Sequence, residues 1–267
     1  AVQEQNARPG FTARVLSRWS SQVHLAFPDA RAALPPRARS KARLFGNPVR
    51  PVLPLKAAEC RRSFGLAEAS RVILVTGGSQ GAKGINQALM EALQGVEAGE
   101  LELPKDLKLL WSSGPGNFAE VSAQLDRLGN PGWVKVQAYI KEMPEALSIS
   151  SLAIGRAGAM TTSELLAWGI PAILIPLPTS AADHQTLNAE SLARSGSAVH
   201  LPEARLSGAA LWEEVLSLLQ DRDRLASMRE AALQEGRPEA TRKIAEALVT
   251  LLPGRRRVAT TDGGGGR

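Results

Sequence analysis

VILVTGGSQGAKGINQAL, residues 72–89, runs from an apolar segment through a cluster of small residues into a segment with helical character. The run Val72–Val75 carries apolar side chains on both faces, as a strand buried on both sides does. It empties into Gly77, Gly78, Ser79, Gln80 and Gly81, and a helix opens almost at once. Glycines let the backbone come close to a ligand. A helix N-terminus adds unpaired N–H groups and a positive dipole end, so the loop suits a diphosphate. It is not a Walker A loop, because no Gly-Lys-Ser/Thr follows, and it does not have GxGxxG spacing. From these residues alone, a tight strand-to-helix turn without a ligand stays open as the alternative.

The same alternation continues outward. Candidate strands are 72–75, 107–111, 134–137, 152–154, 172–175 and 198–200, with helices near 84–94, 117–128, 143–149, 161–168, 185–195 and 208–233. Short apolar runs separated by amphipathic helices predict an α/β fold whose parallel sheet is covered on both faces. In such sheets ligands bind beyond the carboxyl ends of the strands. Pro51–Pro54 reads as a linker, and the Arg/Gly-rich segment 254–267 as a disordered tail.

Upstream, Phe11, Val15, Leu16 and Trp19 recur at helical spacing before the alternation of Val23, Leu25 and Phe27. A helix feeding a strand is expected there. Two such elements make no core, so residues 1–47 read as the trailing end of a domain that begins earlier. Nine Lys/Arg against two acidic residues in 1–50 make this segment basic, within a net charge of +6 for 267 residues. Nucleic acid, an anionic membrane surface and a phosphorylated ligand all suit such a patch. Nucleic acid ranks lowest, because one Tyr and five Phe supply no stacking platform. The lone Cys60 excludes an internal disulfide, no Cys/His cluster has metal-ligand spacing, and no apolar run approaches the roughly 20 residues of a membrane span. The opening AVQEQNARPG is not a secretion signal.

Two further loops follow candidate strands. In GAMTTSELLAWGIPAILIPLP, 158–178, Thr161 and Glu164 have capping-box spacing, Gly169 suits the residue after the helix, and Pro171 stops it. The hydroxyls and Glu164 also fall where a carboxylate can accept two hydrogen bonds from a sugar diol, so cap and ligand contact compete for the same oxygens. In IPLPTSAADHQTLNAESLARSGSA, 175–198, Asp183, His184, Gln185 and Asn188 place polar groups at the start of a helix facing the same crevice. For His184 alone, a solvated helix-start position is favoured over catalysis.

EQNARPGFTARVLSR, GNPVR, GGSQGAKGIN, YIKEM, GRAGAMTTSELLAWGIPAILIPLP and DHQTLNA occur in this order through residue 189, and the set resembles the MurG family. Those enzymes are UDP-N-acetylglucosamine:lipid I N-acetylglucosaminyltransferases of bacterial peptidoglycan synthesis. The likeness runs to about residue 250. It implies the GT-B arrangement of two Rossmann-like domains, the nucleotide sugar lying in the cleft. By this resemblance residues 1–51 are the end of the acceptor domain plus hinge, 52–236 the donor domain, and 237–253 a last helix crossing back. Asn6 and Arg50 resemble donor contacts, Ser79 with Gly77, Gly78 and Gly81 the diphosphate loop, and Ile140 the residue whose backbone meets uracil. Ala159, Met160, Thr161, Thr162, Ser163 and Glu164 resemble the nucleoside-binding turn, with Glu164 on the ribose, and Gln185 a sugar contact.

The resemblance implies UDP-N-acetylglucosamine and lipid I as substrates, an inverting displacement without a metal or other cofactor, and a peripheral place on the cytoplasmic face of the bacterial plasma membrane. No Asp-x-Asp motif is present. The family's glycine-rich loop with its His is absent from these residues, and Gln3 stands where the family usually has His. No general base is found, so this fragment alone is expected to bind donor without turnover. The alternatives are another GT-B UDP-sugar transferase and a donor-binding module that is not an enzyme. The stretch 238–252 reads as an amphipathic helix with Ile244, Ala247, Leu248 and Leu251 on one face.

Overall fold

The computed structural model describes residues 1–68, 70–78 and 82–252. Along the chain these form β1 (Val2–Glu4), α1 (Phe11–Leu16), β2 (Val23–Leu25), α2 (Pro36–Arg39), β3 (Ala42–Leu44) and α3 (Ala57–Ser63). Next come β4 (Arg71–Thr76), α4 (Lys83–Glu97), β5 (Leu107–Ser112), α5 (Phe118–Arg127), β6 (Val134–Gln137), α6 (Met143–Ile149) and β7 (Ser150–Gly155). The remainder is α7 (Ala159–Ala167), β8 (Ala172–Leu174), α8 (His184–Arg194), β9 (Ala198–His200), α9 (Gly208–Gln220), α10 (Arg222–Glu235) and α11 (Ala240–Val249).

β4 to β9 build one six-stranded parallel sheet in the order β6-β5-β4-β7-β8-β9. The chain starts in the middle, works to one edge, then returns to work toward the other. This is the doubly wound Rossmann order, with its topological switch between β4 and β7. The continuous apolar run of β4 follows from burial on both sides. Ile73 and Val75 face a core with Ile85, Leu89, Leu93 and Trp212, whereas Val72 and Leu74 face one with Phe64, Leu147, Leu165 and Leu192. On α4, Ile85, Ala88, Leu89, Ala92 and Leu93 recur every three or four residues and form its buried stripe. α9 approaches α4 closely at Gly208, where an added Cβ would lie 2.5 Å from Cβ of Glu91. At the switch point Gly155 pairs with Thr76, and an added Cβ would stand 2.6 Å from the Thr76 carbonyl oxygen. No larger residue fits there without spreading the two strands.

The expected helix over 208–233 is two helices. Asp221 leaves the helical region with φ −92° and ψ 85°, and its carboxylate accepts a hydrogen bond from Arg224 N at 2.9 Å, so it caps α10. Residues 1–47 also differ from expectation. The helix feeds a strand as read, but β1, β2 and β3 pair in parallel as a three-stranded sheet. Val23, Leu25, Ala30, Leu34, Ala38 and Ala42 close a small core of their own. β2 is the strand that the alternation marked; β1 and β3, three residues each, are too short for a periodicity signal. α11 returns to this part of the chain: Gln22 Nε2 donates to Ala247 O at 3.2 Å, and Thr241 Oγ1 to Val49 O at 3.0 Å. Cys60 is buried and free. Among the described residues no helix is long and apolar enough to cross a membrane.

Candidate functional site

The loops that leave β4 and β7 flank the switch point, where the sheet order opens a crevice. Gly77 and Gly78 are half-buried at the exit of β4. Gly78 takes a left-handed φ of 78° while its N–H donates to Thr76 Oγ1 at 3.3 Å. Ser79 and Gly81 lie outside the described residues. α4 then opens at Lys83, and no side chain among the described residues caps it. Its N-terminus carries the positive end of the helix dipole and backbone N–H groups of the kind that bind an anion.

α7 starts earlier than the capping-box reading places it. Gly158 is the N-cap residue and supplies no side chain, so Ala159, Met160 and Thr161 form the first turn. Thr161 therefore caps nothing. Glu164 does not reach back to the helix start; its Oε1 accepts a hydrogen bond from Arg50 Nε at 3.0 Å. Gly169 does end the helix, with φ 65°. Thr162 turns inward, its hydroxyl donating to the carbonyls of Gly158 and Ala159 at 3.1 Å each, and it is buried. Its hydroxyl is committed to the first turn of its own helix. Ser163 Oγ accepts from Asn47 Nδ2 at 3.0 Å.

Asn6, Ala159, Met160, Thr161 and Gln185 come together as walls of one cleft of about 580 Å³, which Thr179, Ser180 and His184 also line. Arg50, Ser163 and Glu164 belong to the neighbouring face of α7 and do not line this cleft. Gln185 accepts from Leu177 N at 3.0 Å through Oε1, which leaves its NH2 group to point elsewhere. The Ile140 side chain is buried in the core, and its backbone N–H and carbonyl enter no hydrogen bond among the described residues. Asn188 was expected to face the crevice; it is instead fully buried.

A model of the glycosyltransferase family 28 C-terminal domain matches residues 72–244. The chain is 41% identical over 251 residues to the UDP-N-acetylglucosamine--N-acetylmuramyl-(pentapeptide) pyrophosphoryl-undecaprenol N-acetylglucosamine transferase of Salinibacter ruber, an alignment covering 94% of it. The crystal structure of Acinetobacter baumannii MurG matches with a TM-score of 0.71 at 29% identity, covering 93% of this chain and 67% of that one. The chain belongs to the MurG family. The transferase of the same name from Chlorobaculum tepidum is 35% identical over 250 residues, 94% of the chain. The chain spans 65% of the length of both curated relatives.

Glu4, Asn47 and Arg156, inside the MurG-like motifs, hold the crevice without having been singled out for it, and Asn188, which was, does so from beneath. In EQN, Glu4 is buried and accepts from Asn6 N at 2.9 Å and Gly10 N at 3.0 Å, folding the loop that presents Asn6. In GNPVR, Asn47 donates through Nδ2 to Gln5 O, Ala159 O and Ser163 Oγ, joining the N-terminal segment to the start of α7. Asn188 accepts from Ala7 N at 2.8 Å and donates to Asn6 Oδ1 and Ala157 O at 3.1 Å each. Arg156 is buried at the end of β7, donating to Ile175 O, Pro176 O and, at 2.5 Å, Glu203 Oε2. Glu203 in turn lies against the first turn of α4, where a Cβ on Gly84 would meet its Oε1 at 2.5 Å. Arg156 thereby neutralises a carboxylate at the first turn of α4. The one sequence signal for these four is that each is a polar residue inside a motif already quoted. Their partners lie as far as 182 positions away.

Proposed function

We propose that the protein is an inverting glycosyltransferase that moves N-acetylglucosamine from UDP-N-acetylglucosamine to lipid I, giving lipid II, and that the cleft beside α7 is part of its donor site. The observation that carries this reading is the convergence of Asn6, Ala159, Met160, Thr161 and Gln185 on one cleft beyond the carboxyl ends of β7 and β8 of a Rossmann-ordered sheet, in a chain of the MurG family. Uracil is met by the free backbone of Ile140, the ribose by Glu164, the sugar by Gln185 and Asn6. The diphosphate sits on the glycine loop and the N-terminus of α4, with Arg50 beside it.

The acceptor hydroxyl gives its proton to a general base outside these residues and attacks the anomeric carbon from the face opposite UDP; the C–O bond to the diphosphate breaks as the new one forms, and configuration inverts. The leaving group gains negative charge. Helix N–H groups stand ready to stabilise it, and the Arg50 guanidinium adds to them once it has turned from Glu164. Without ligand, Arg50 and Glu164 hold each other, but the Arg50 side chain is half exposed, and such a pair is weak in water. Ligand entry exchanges it: Glu164 turns to the ribose diol and Arg50 to the diphosphate.

Calorimetric titration tests this. The 267-residue chain is expected to bind UDP-N-acetylglucosamine in preference to UDP-glucose. Glu164→Ala is expected to weaken UDP and UDP-N-acetylglucosamine alike by about 1.5–3 kcal/mol, the range for hydrogen bonds to a charged group. Unchanged affinity in the variant would remove Glu164 from the ribose.

The same reading includes a peripheral position at the cytoplasmic face of the plasma membrane, on anionic lipid. It is supported by the exposed Phe11 (75%) and Trp19 (74%), at and just beyond α1, among the exposed Arg8, Arg14 and Arg18. Each arginine near such a surface contributes about 1 kcal/mol. Co-sedimentation with phosphatidylserine vesicles is expected to fall steeply as salt rises and to fall again in Arg14→Ala/Arg18→Ala. Binding indifferent to salt would count against it.

A further inference from the structure

Glu203 lies outside the MurG-like motifs, yet its carboxylate is firmly placed. It opens a single 3-10 turn, Glu203–Arg205, beyond β9. Leu201 before the turn is buried, and its N–H donates to Leu174 O at 2.9 Å, carrying the pairing with β8 one residue past the strand. Leu206 after the turn packs on the same core as α4. Between these two anchors the carboxylate is held against the first turn of α4, Oε1 lying 2.5 Å from where a Cβ on Gly84 would stand. Glycine leaves room for it there, and a side chain at 84 would displace it.

The ion pair that Glu203 makes is uneven. Arg156 NH1 donates to Ile175 O at 3.2 Å, Pro176 O at 3.1 Å and Glu203 Oε2 at 2.5 Å, whereas NH2 donates to nothing among the described residues. NH2 is on the α4 side, 3.8 Å from a Cβ on Gly84. The two side chains are 11% and 26% exposed, so both charges are largely withdrawn from water. A pair so placed is a poor source of stability, because the cost of desolvation offsets most of the attraction. What it does control is the field at the N-terminus of α4. Lys83, in the same turn, is exposed and its charge is screened by salt.

The N-terminus of a helix attracts an anion. A carboxylate already standing there repels a second one, and the guanidinium behind it attracts one. With Glu203 ionised the two charges cancel; with its charge removed, a largely buried cation faces the end of the helix.

We infer that Glu203 sets how strongly the donor site holds a diphosphate: its carboxylate cancels Arg156 at the first turn of α4 and keeps the affinity for UDP low enough for UDP to leave after transfer. UDP is both the tail of the donor and the leaving group, so attraction gained at the diphosphate is gained by the product too, and slow product release limits turnover in many enzymes. The inference rests on the donor-site reading above and adds to it a residue that governs release without touching the ligand.

Calorimetric titration of the 267-residue chain with uridine, UMP and UDP tests it. Glu203→Gln keeps the acceptor for Arg156 NH1 and removes the charge. It is expected to tighten UDP about fivefold, UMP less and uridine not at all, the gain shrinking as salt rises. Glu203→Asp, which retains the charge, is expected to stay near the parent. Gly84→Ala, which pushes the carboxylate off the helix without touching Arg156, is expected to tighten UDP by a smaller factor. Uridine binding doubles as the control for an intact site, and a structural role alone would not sort the ligands by charge. Equal gains for uridine and UDP, or a UDP affinity that is unchanged or weaker in Glu203→Gln, overturn the inference and leave the donor site standing. A parent protein that binds none of the three overturns the donor-site reading and this inference together.

Discussion

Trp212→Ala is expected to destabilise the protein by about 3–5 kcal/mol, the range for removing a buried tryptophan from a core. The indole is fully buried on α9. It packs tilted against Trp133 with ring centroids 5.7 Å apart, and its Nε1 donates to Glu102 O at 2.8 Å. The variant leaves a cavity between α9 and the sheet and a carbonyl without its donor. α9 cannot close the gap, because it already touches α4 at Gly208. Trp212→Phe keeps most of the volume and is expected to cost less than half as much. In urea unfolding the midpoint should drop with the slope unchanged. A loss below about 1 kcal/mol would mean that the site collapses around the cavity and that α9 is less tightly held than its packing implies.

Asn188→Ala is expected to cost about 2–5 kcal/mol of stability and to weaken donor binding as well, although Asn188 does not line the cleft. Its amide joins three chain segments, accepting from Ala7 N and donating to Asn6 Oδ1 and Ala157 O. Ala7 and Ala157 are buried, so deleting the amide strands a donor and an acceptor, each at about 1–3 kcal/mol. Asn6 loses the partner that holds its carbonyl oxygen and with it a fixed place in the cleft. Asn188→Asp keeps the acceptor for Ala7 N but loses both donated bonds and buries a charge, so it should be no better than alanine. Denaturant unfolding measures the first effect and titration with UDP-N-acetylglucosamine the second. A variant that unfolds like the parent yet binds less ligand would place Asn188 in the cleft rather than beneath it.

How much of this was legible depended on the range of the cause. Val72–Val75, the glycines after it and the stripe on α4 are neighbours in the chain, and so are Gly169 and Pro171 at the end of α7. The six strands of the large sheet and most of its helices were therefore readable from spacing. The break at Asp221 was local too, yet it was hidden because apolar spacing continues on both sides of it. In the small sheet only β2 was marked, by the alternation of Val23, Leu25 and Phe27; β1 and β3 are three residues long and too short to show one.

The start of α7 illustrates the limit at the site. Thr161 and Glu164 have the spacing of a capping box, but Arg50, 114 positions earlier, takes the Glu164 carboxylate, and the bare backbone of Gly158 begins the helix. The motifs named Asn6, Glu164 and Gln185 as a set; they could not say that Thr162 turns inward or that Asn188 is buried. By itself the sequence determined the alternation of strands and helices, the glycine loop and the family, because periodicity and turn chemistry act between residues a few positions apart. Only the tertiary structure decided the strand order that opens the crevice and the partner each polar side chain takes there. Those choices follow from which distant segments meet, and a buried donor or acceptor bonds to the group that chain closure brings within reach.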